Sequence, residues 1–268
     1  MNPAANWIGR RLARFLARPR HVHGTSMPAD LQRVAACLRP GDVLLVEGHS
    51  RFSSAVKFLT QSTWSHAALY VGTASGQRDA RGAPLDFIEA DVVDGVRAVS
   101  LHQYAGLQAR ICRPRGLRDE ELAAVLRHAV SRIGHRYDLK HIFDLVRYLL
   151  PTPPVPQRWR RRMLALGSGD PTRAICSTLI AEAFQSVRYP ILPRIELQPA
   201  DDPLCPDCVA EILHVRHHSL FVPRDFDVSP YFEVVKPALT DDFDPHALRW
   251  SRDPATALAS APNGGLPA

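Results

Sequence analysis

Trp64-Ser65-His66-Ala67-Ala68-Leu69-Tyr70-Val71-Gly72 is a short apolar run with a polar mouth and a glycine stop. Four to eight apolar residues closed by a turn residue are too few for a helix and fit a buried strand. His66 then sits where the strand opens. Upstream, Leu38-Arg39-Pro40-Gly41-Asp42 is a turn signal, and Val43-Leu44-Leu45-Val46 is a second buried strand bounded by Gly48. Residues 51–60 place Phe52, Val56 and Leu59 at helical spacing. Downstream, a Gly- and Arg-rich turn leads to Phe87-Ile88-Glu89-Ala90, with further strands at Val96–Val99 and Ala109–Cys112. Closely spaced strands with short connections predict an antiparallel sheet, with the Glu89 strand beside the His66 strand.

Helices follow. Asp119 is placed to cap a helix in which Leu122, Val125, Leu126, Ala129, Val130 and Ile133 recur at i, i+3, i+4 and i+7, with Gly134 at its end. A last helix is expected from about Thr172 to Val187, its inward face holding Ile175, Cys176, Leu179, Ile180, Ala183 and Phe184. The class is therefore α+β. Residues 1–30 form a basic amphipathic segment: Trp7, Ile8, Leu12, Phe15 and Leu16 share one side of a helix, a pattern suited equally to a membrane interface and to the domain's own surface. Residues 31–240 form the domain. A segment at about 141–171, apolar from Ile142 to Leu150, then Pro-rich, then Arg-rich around Trp159, looks inserted as a lid or flap. Residues 241–268 lack periodicity and are expected to be a disordered tail.

The 268 residues are 46% hydrophobic and 22% charged, with net charge +6, enough apolar material for one sizeable core. The excess charge lies in two spots, Arg10, Arg11, Arg14, Arg18 and Arg20, and Arg158, Arg160, Arg161 and Arg162. That distribution suits solvated arginines or an anionic lipid surface, and it does not suggest a nucleic-acid partner. Five scattered cysteines are no disulfide framework, which points to a reducing compartment. With no apolar run of transmembrane length and no signal-peptide pattern, the expected place is the cytoplasm or the inner-membrane surface.

Cys176 falls in the first turn of the last predicted helix. Free backbone N–H groups and the helix dipole there favour a thiolate, and the same groups can stabilise an oxyanion. Position alone fits a buried structural cysteine as well. His66 can serve as the base a thiol needs, and Glu89 can accept a hydrogen bond from its ring and fix its tautomer. A strand histidine and a strand glutamate are, taken singly, as compatible with structural roles.

The stretches that carry these residues resemble, in order, the circularly permuted branch of the NlpC/P60 papain-like superfamily, the YaeF/YiiX type, a family of cysteine hydrolases and amidases. They are Arg39-Pro40-Gly41-Asp42-Val43; Trp64 to Gly72; Ile88-Glu89-Ala90 with Gly95-Val96; Gly134-His135-Arg136-Tyr137-Asp138; Ile175-Cys176-Ser177-Thr178-Leu179-Ile180; and Val222-Pro223-Arg224-Asp225-Phe226. The resemblance covers residues 38–236. It implies a permuted papain-like fold, a small antiparallel sheet or partial barrel packed against helices. It also implies Cys176 as nucleophile, His66 as base, Glu89 as orienter and Tyr137 as a hydroxyl at the oxyanion site. The implied reaction is hydrolysis of an amide or peptide through an acyl-enzyme, without cofactor.

Other readings remain open at this level. A lecithin:retinol-type acyltransferase or lipid acyl hydrolase would use the same Cys/His pair on a lipid acyl substrate, with peripheral membrane contact through the N-terminal helix and the 141–171 insertion. A non-catalytic binding module could keep the fold. Cys205 and Cys208, with His214, His217 and His218 nearby, have part of a zinc pattern, but no second CxxC exists, and no metal site is expected.

Overall fold

The computed structural model describes residues 29–91, 94–135, 175–199 and 209–236, with His246. The unit that contains all the elements below ends at Lys236. The N-terminal segment up to residue 28, Tyr137, the 141–171 insertion, Cys205 and Cys208, and all of the 241–268 tail except His246 lie outside the described residues.

The first elements are α1 (Leu31–Cys37), β1 (Val43–Val46), α2 (Arg51–Thr60), β2 (His66–Tyr70), β3 (Phe87–Asp91), β4 (Gly95–Val99) and β5 (Ala109–Pro114). Then come α3 (Asp119–Ser131), α4 (Ile175–Gln185), β6 (Arg194–Pro199), β7 (Val209–His214), α5 (Pro223–Asp227) and β8 (Phe232–Val235). One antiparallel sheet has the order β4-β3-β2-β1-β5-β8, and β6 and β7 form a separate two-stranded ribbon. The protein is thus mixed α and β, built on a small antiparallel sheet.

β1 is central and buried along its whole length, which is why its sequence is a continuous apolar run rather than an alternating one. Val43 and Leu45 face the side covered by α3 and α4, where they meet Ala67, Leu69, Ile88, Val125, Leu179, Ile180 and Phe184. Leu44 and Val46 face the opposite side with Ala68, Phe87, Ile111, Tyr104 and Val34 of α1. Strand alternation therefore divides one four-residue segment between two cores.

The Pro40-Gly41-Asp42 turn locks β1 to β5. Asp42 is fully buried; its carboxylate accepts the Arg39 N–H at 2.8 Å and a two-pronged bond from Arg113, Nε at 2.9 Å and Nη2 at 2.8 Å. Gly41 has φ +93°, and a Cβ there would come within 2.7 Å of Leu122 Cδ1, so the position demands glycine.

One local expectation needs correction, and several elements lay outside the sequence reading. Arg118, not Asp119, is the residue that flanks α3, and its N–H is held by the Glu121 carboxylate at 3.0 Å. Asp119 instead adds negative charge to the first turn, where the dipole favours it. Strands β6, β7 and β8 and helix α1 were not anticipated. β6 and β7 bury little (Leu197 is 63% exposed), so their alternation points to no core.

Removing one partner of a buried ion pair leaves the other charge unsatisfied and costs about 3–5 kcal/mol. Asp42→Asn is accordingly expected to lower the urea midpoint of unfolding by an amount corresponding to about 3 kcal/mol. A midpoint equal to the wild type would mean that the turn does not anchor the sheet.

Candidate active site

β2 opens at His66, opposite Val46. Its mouth is fixed by Ser65, whose N–H donates to the Val46 carbonyl at 3.1 Å and whose Oγ accepts the Gly48 N–H at 2.8 Å. β3 runs antiparallel beside it and carries Glu89. The His66 Nε2 and Glu89 Oε2 atoms are 2.7 Å apart. With Nε2 committed to the carboxylate, Nδ1 is the ring nitrogen left for Cys176, to which His66 is also hydrogen-bonded. Cys176 is the second residue of α4. It packs on Val222, accepts a hydrogen bond from the Ala67 backbone N–H, and has Ser177 Oγ at 4.0 Å. Three residues predicted from separate stretches of chain therefore meet as one line, carboxylate to imidazole to sulfur.

Two further residues complete the constellation, and neither was foreseen. Tyr104 is buried, and its hydroxyl donates to Glu89 Oε2 at 2.8 Å. Arg97 donates to Glu89 Oε1 through Nε at 3.0 Å and Nη2 at 2.8 Å, while its Nη1 reaches Asp94 at 3.0 Å. Arg97 had a signal: it is directly opposite Glu89 across the β3–β4 pair, and opposite charges at facing positions of a hairpin attract. Tyr104 had none, because it closes an irregular single turn at Leu101–Tyr104.

The electrostatics follow from these contacts. Burial alone would raise the Glu89 carboxyl, but His66, Tyr104 and Arg97 together bring it from the usual 4.5 down to about 2. Burial pushes His66 down, yet Glu89 and Cys176 on either side carry it well above its usual value. Burial raises the Cys176 thiol, and the charge and hydrogen bond of His66 with the Ala67 N–H more than offset it, so the thiol is lowered. Both shifts run towards the charged form of each group. Tyr104 is driven well up by burial and by Glu89, so it remains a phenol and a donor. Cys112 is the contrast: burial takes its thiol up to about 12, and it is inert.

No family model and no curated protein matches the chain. Among the described residues, no group of three or more His, Cys, Asp or Glu is arranged to hold a metal ion, and no helix is long and apolar enough to cross a membrane.

Glu89→Gln removes the charge while keeping the shape. The expected result is a rise in the Cys176 thiol pKa, so that its alkylation-versus-pH curve moves up by about one unit. The stability signature has a definite sign. The folded Glu89 value lies below the unfolded one, so its contribution is complete above about pH 4.5 and fades as pH falls towards 2. The gap in urea midpoint between wild type and Glu89→Gln should narrow across that window; a gap independent of pH there would show that the Glu89 charge stabilises nothing.

Proposed function

We propose that this chain is a thiol-dependent hydrolase of amides or peptides with a permuted papain-like fold of the NlpC/P60 YaeF/YiiX type. The observation that carries the reading is His66 bridging Cys176 and Glu89. A nucleophile, a base and an orienter in hydrogen-bond contact are the recurring arrangement of covalent acyl transfer. A structural cysteine on an apolar helix face would need neither a buried glutamate behind its neighbouring histidine nor two further residues to hold that glutamate.

In the proposed reaction the Cys176 thiolate attacks the substrate's carbonyl carbon, forming a C–S bond and an oxyanion. Backbone N–H groups in the first turn of a helix can stabilise this oxygen. Collapse breaks the C–N bond as the His66 imidazolium gives its proton to the leaving amine. Neutral His66 then takes a proton from water, hydroxide attacks the thioester carbon, and the C–S bond breaks to release the acid and restore the thiolate. Glu89 keeps the ring oriented throughout and stabilises its charged form, and Arg97 and Tyr104 keep Glu89 ionised and in place.

The order along the chain is base, orienter, nucleophile, with His66 before Cys176. In the common papain-like order the nucleophile helix comes first. Joining the old ends and opening the chain elsewhere preserves the spatial arrangement, and catalysis depends on that arrangement and not on chain order.

Incubation with a panel of acyl-peptide amides and activated acyl esters, followed by intact and peptide mass spectrometry, tests the reading. An acyl adduct is expected on Cys176, removable by hydroxylamine, and His66→Ala should slow turnover by about 10²–10⁴-fold. Hydrolysis that persists in Cys176→Ala, or a His66→Ala rate equal to wild type, would sink it.

A further inference from the structure

Among the described residues, Val222 is the buried apolar side chain in contact with Cys176, and the two form a cluster of their own, apart from the main core. The other neighbours of the sulfur are polar: the His66 ring, the Ala67 N–H and Ser177 Oγ at 4.0 Å. Cys176 is only 4% exposed, so the space an acyl group can use beside the sulfur is set by these few groups.

Val222 is held in place on both sides. Its N–H donates to the Asp225 carboxylate at 3.1 Å, and its carbonyl accepts the Asp225 N–H at 2.9 Å. Pro223 follows at the start of α5 and fixes its own φ. Phe221 and Phe226, before and after it, are buried in the main core. The segment leading up to Val222 is tied to α4, the helix that carries the nucleophile. Gln185 Nε2 donates to the Arg216 carbonyl at 2.6 Å, and His218 Nε2 lies 3.2 Å from Glu182 Oε1. The Arg216 guanidinium lies 4.9 Å from the centre of the Phe221 ring. Val222 and the nucleophile are therefore referred to the same helix. A β-branched side chain on a fixed backbone has few rotamers to turn into.

The chemistry decides what meets this side chain. The tetrahedral carbon of the proposed reaction carries four groups: the sulfur, the oxyanion, the leaving nitrogen and the remainder of the acyl group. The nitrogen must lie against His66, which gives it a proton. The oxyanion must lie against N–H donors. The acyl remainder is left the apolar flank, which Val222 supplies. One extra methyl group forced against a packed, immobile side chain costs about tenfold in rate.

We propose that Val222 is a specificity-determining residue of the site, a rigid wall that admits acyl groups whose first carbon beyond the carbonyl is unbranched and turns away branched ones. The proposal rests on the thiol-hydrolase reading and narrows its substrate class to amides of straight-chain or glycyl-type acids.

The test compares acylation of Cys176 by para-nitrophenyl acetate and para-nitrophenyl isobutyrate, on the full chain, with the Cys176→Ala rate subtracted. In both cases the thiolate forms a C–S bond, the ester C–O bond breaks, and nitrophenolate leaves with the electron pair and is read by its absorbance. Free mercaptoethanol supplies the intrinsic preference for acetate over isobutyrate. The wild type should exceed that preference by about tenfold. Val222→Ala should bring it back close to the intrinsic value, and Val222→Ile should raise it further. Opposite shifts from a smaller and a larger side chain identify a wall, because damage to packing alone would slow both esters in both variants and leave the preference where it was. The proposal is overturned by a wild-type preference equal to that of mercaptoethanol, or by variants that leave the preference unchanged or move it in the same direction. The acetate rate keeps the two readings apart. Rapid acylation of Cys176 without added selectivity rejects the wall alone, while acylation no faster than that of mercaptoethanol rejects the activated thiol and the wall with it.

Discussion

A glutamate only 3% exposed on the second strand of a sheet is costly unless it is fully satisfied, and the arrangement of this domain follows from how Glu89 is satisfied. His66 and Tyr104 share one oxygen, and Arg97 grips the other with two donors. Each partner comes from a different place: the mouth of β2, an irregular turn before β5, and the facing position on β4. None can move without exposing an unpaired charge. The histidine is thereby held in a single orientation, and its other ring nitrogen is aimed at the start of α4. His66 and the Ala67 N–H lower the thiol by direct contact, and Arg97 and Tyr104 act one step behind them, by holding Glu89 as a carboxylate.

The sheet supplies the rigidity that this chain of contacts requires. β1 lies at its centre, buried on both faces, with β2 on one side and β5 on the other. The α4 helix packs over β2 and β3, where Leu179, Ile180 and Phe184 join the core that holds Ala67 and Ile88. Its first turn is therefore set beside the strand carrying the base. At its far end Glu182 lies within reach of Arg132 and His218, 3.7 and 3.2 Å away, which ties the helix to α3 and to the turn before α5. The nucleophile is placed by packing along the whole helix, and the base by hydrogen bonds at the strand mouth. These are independent supports, which suits a site that must hold its geometry while bonds are made and broken.

Much of this was readable in the sequence because burial writes a pattern. The strands at 43–46, 66–70, 87–91 and 95–99 are short apolar runs between turn residues, and α3 and α4 carry full helical periodicity, so both type and order could be read. His66 and Glu89 broke apolar runs and Cys176 fell at the start of an expected helix; each was ambiguous alone, and the resemblance of the ordered stretches around them singled them out. Tyr104 was invisible because it closes a turn with no period, and its partner is fifteen residues away. Arg97 was legible in principle, through the register of the β3–β4 pair, once Glu89 was suspected of being buried. β8 and the β6–β7 ribbon were missed for a different reason. β8 is a four-residue edge strand, too short to establish a period, and the ribbon leaves Ile195, Leu197 and Leu213 largely in solvent, where alternation signals no interior. Tyr137, assigned to the oxyanion site by resemblance, lies outside the described residues.

The central claim is that Cys176 rests as a thiolate paired with the His66 imidazolium. Titration of the thiolate's ultraviolet absorbance, taken as the difference between wild type and Cys176→Ser, measures this directly without any substrate. The account predicts a titration step well below the ordinary thiol value of about 8.5, moving up towards it in His66→Gln. A wild-type step at or above that value, unchanged by His66→Gln, would contradict it.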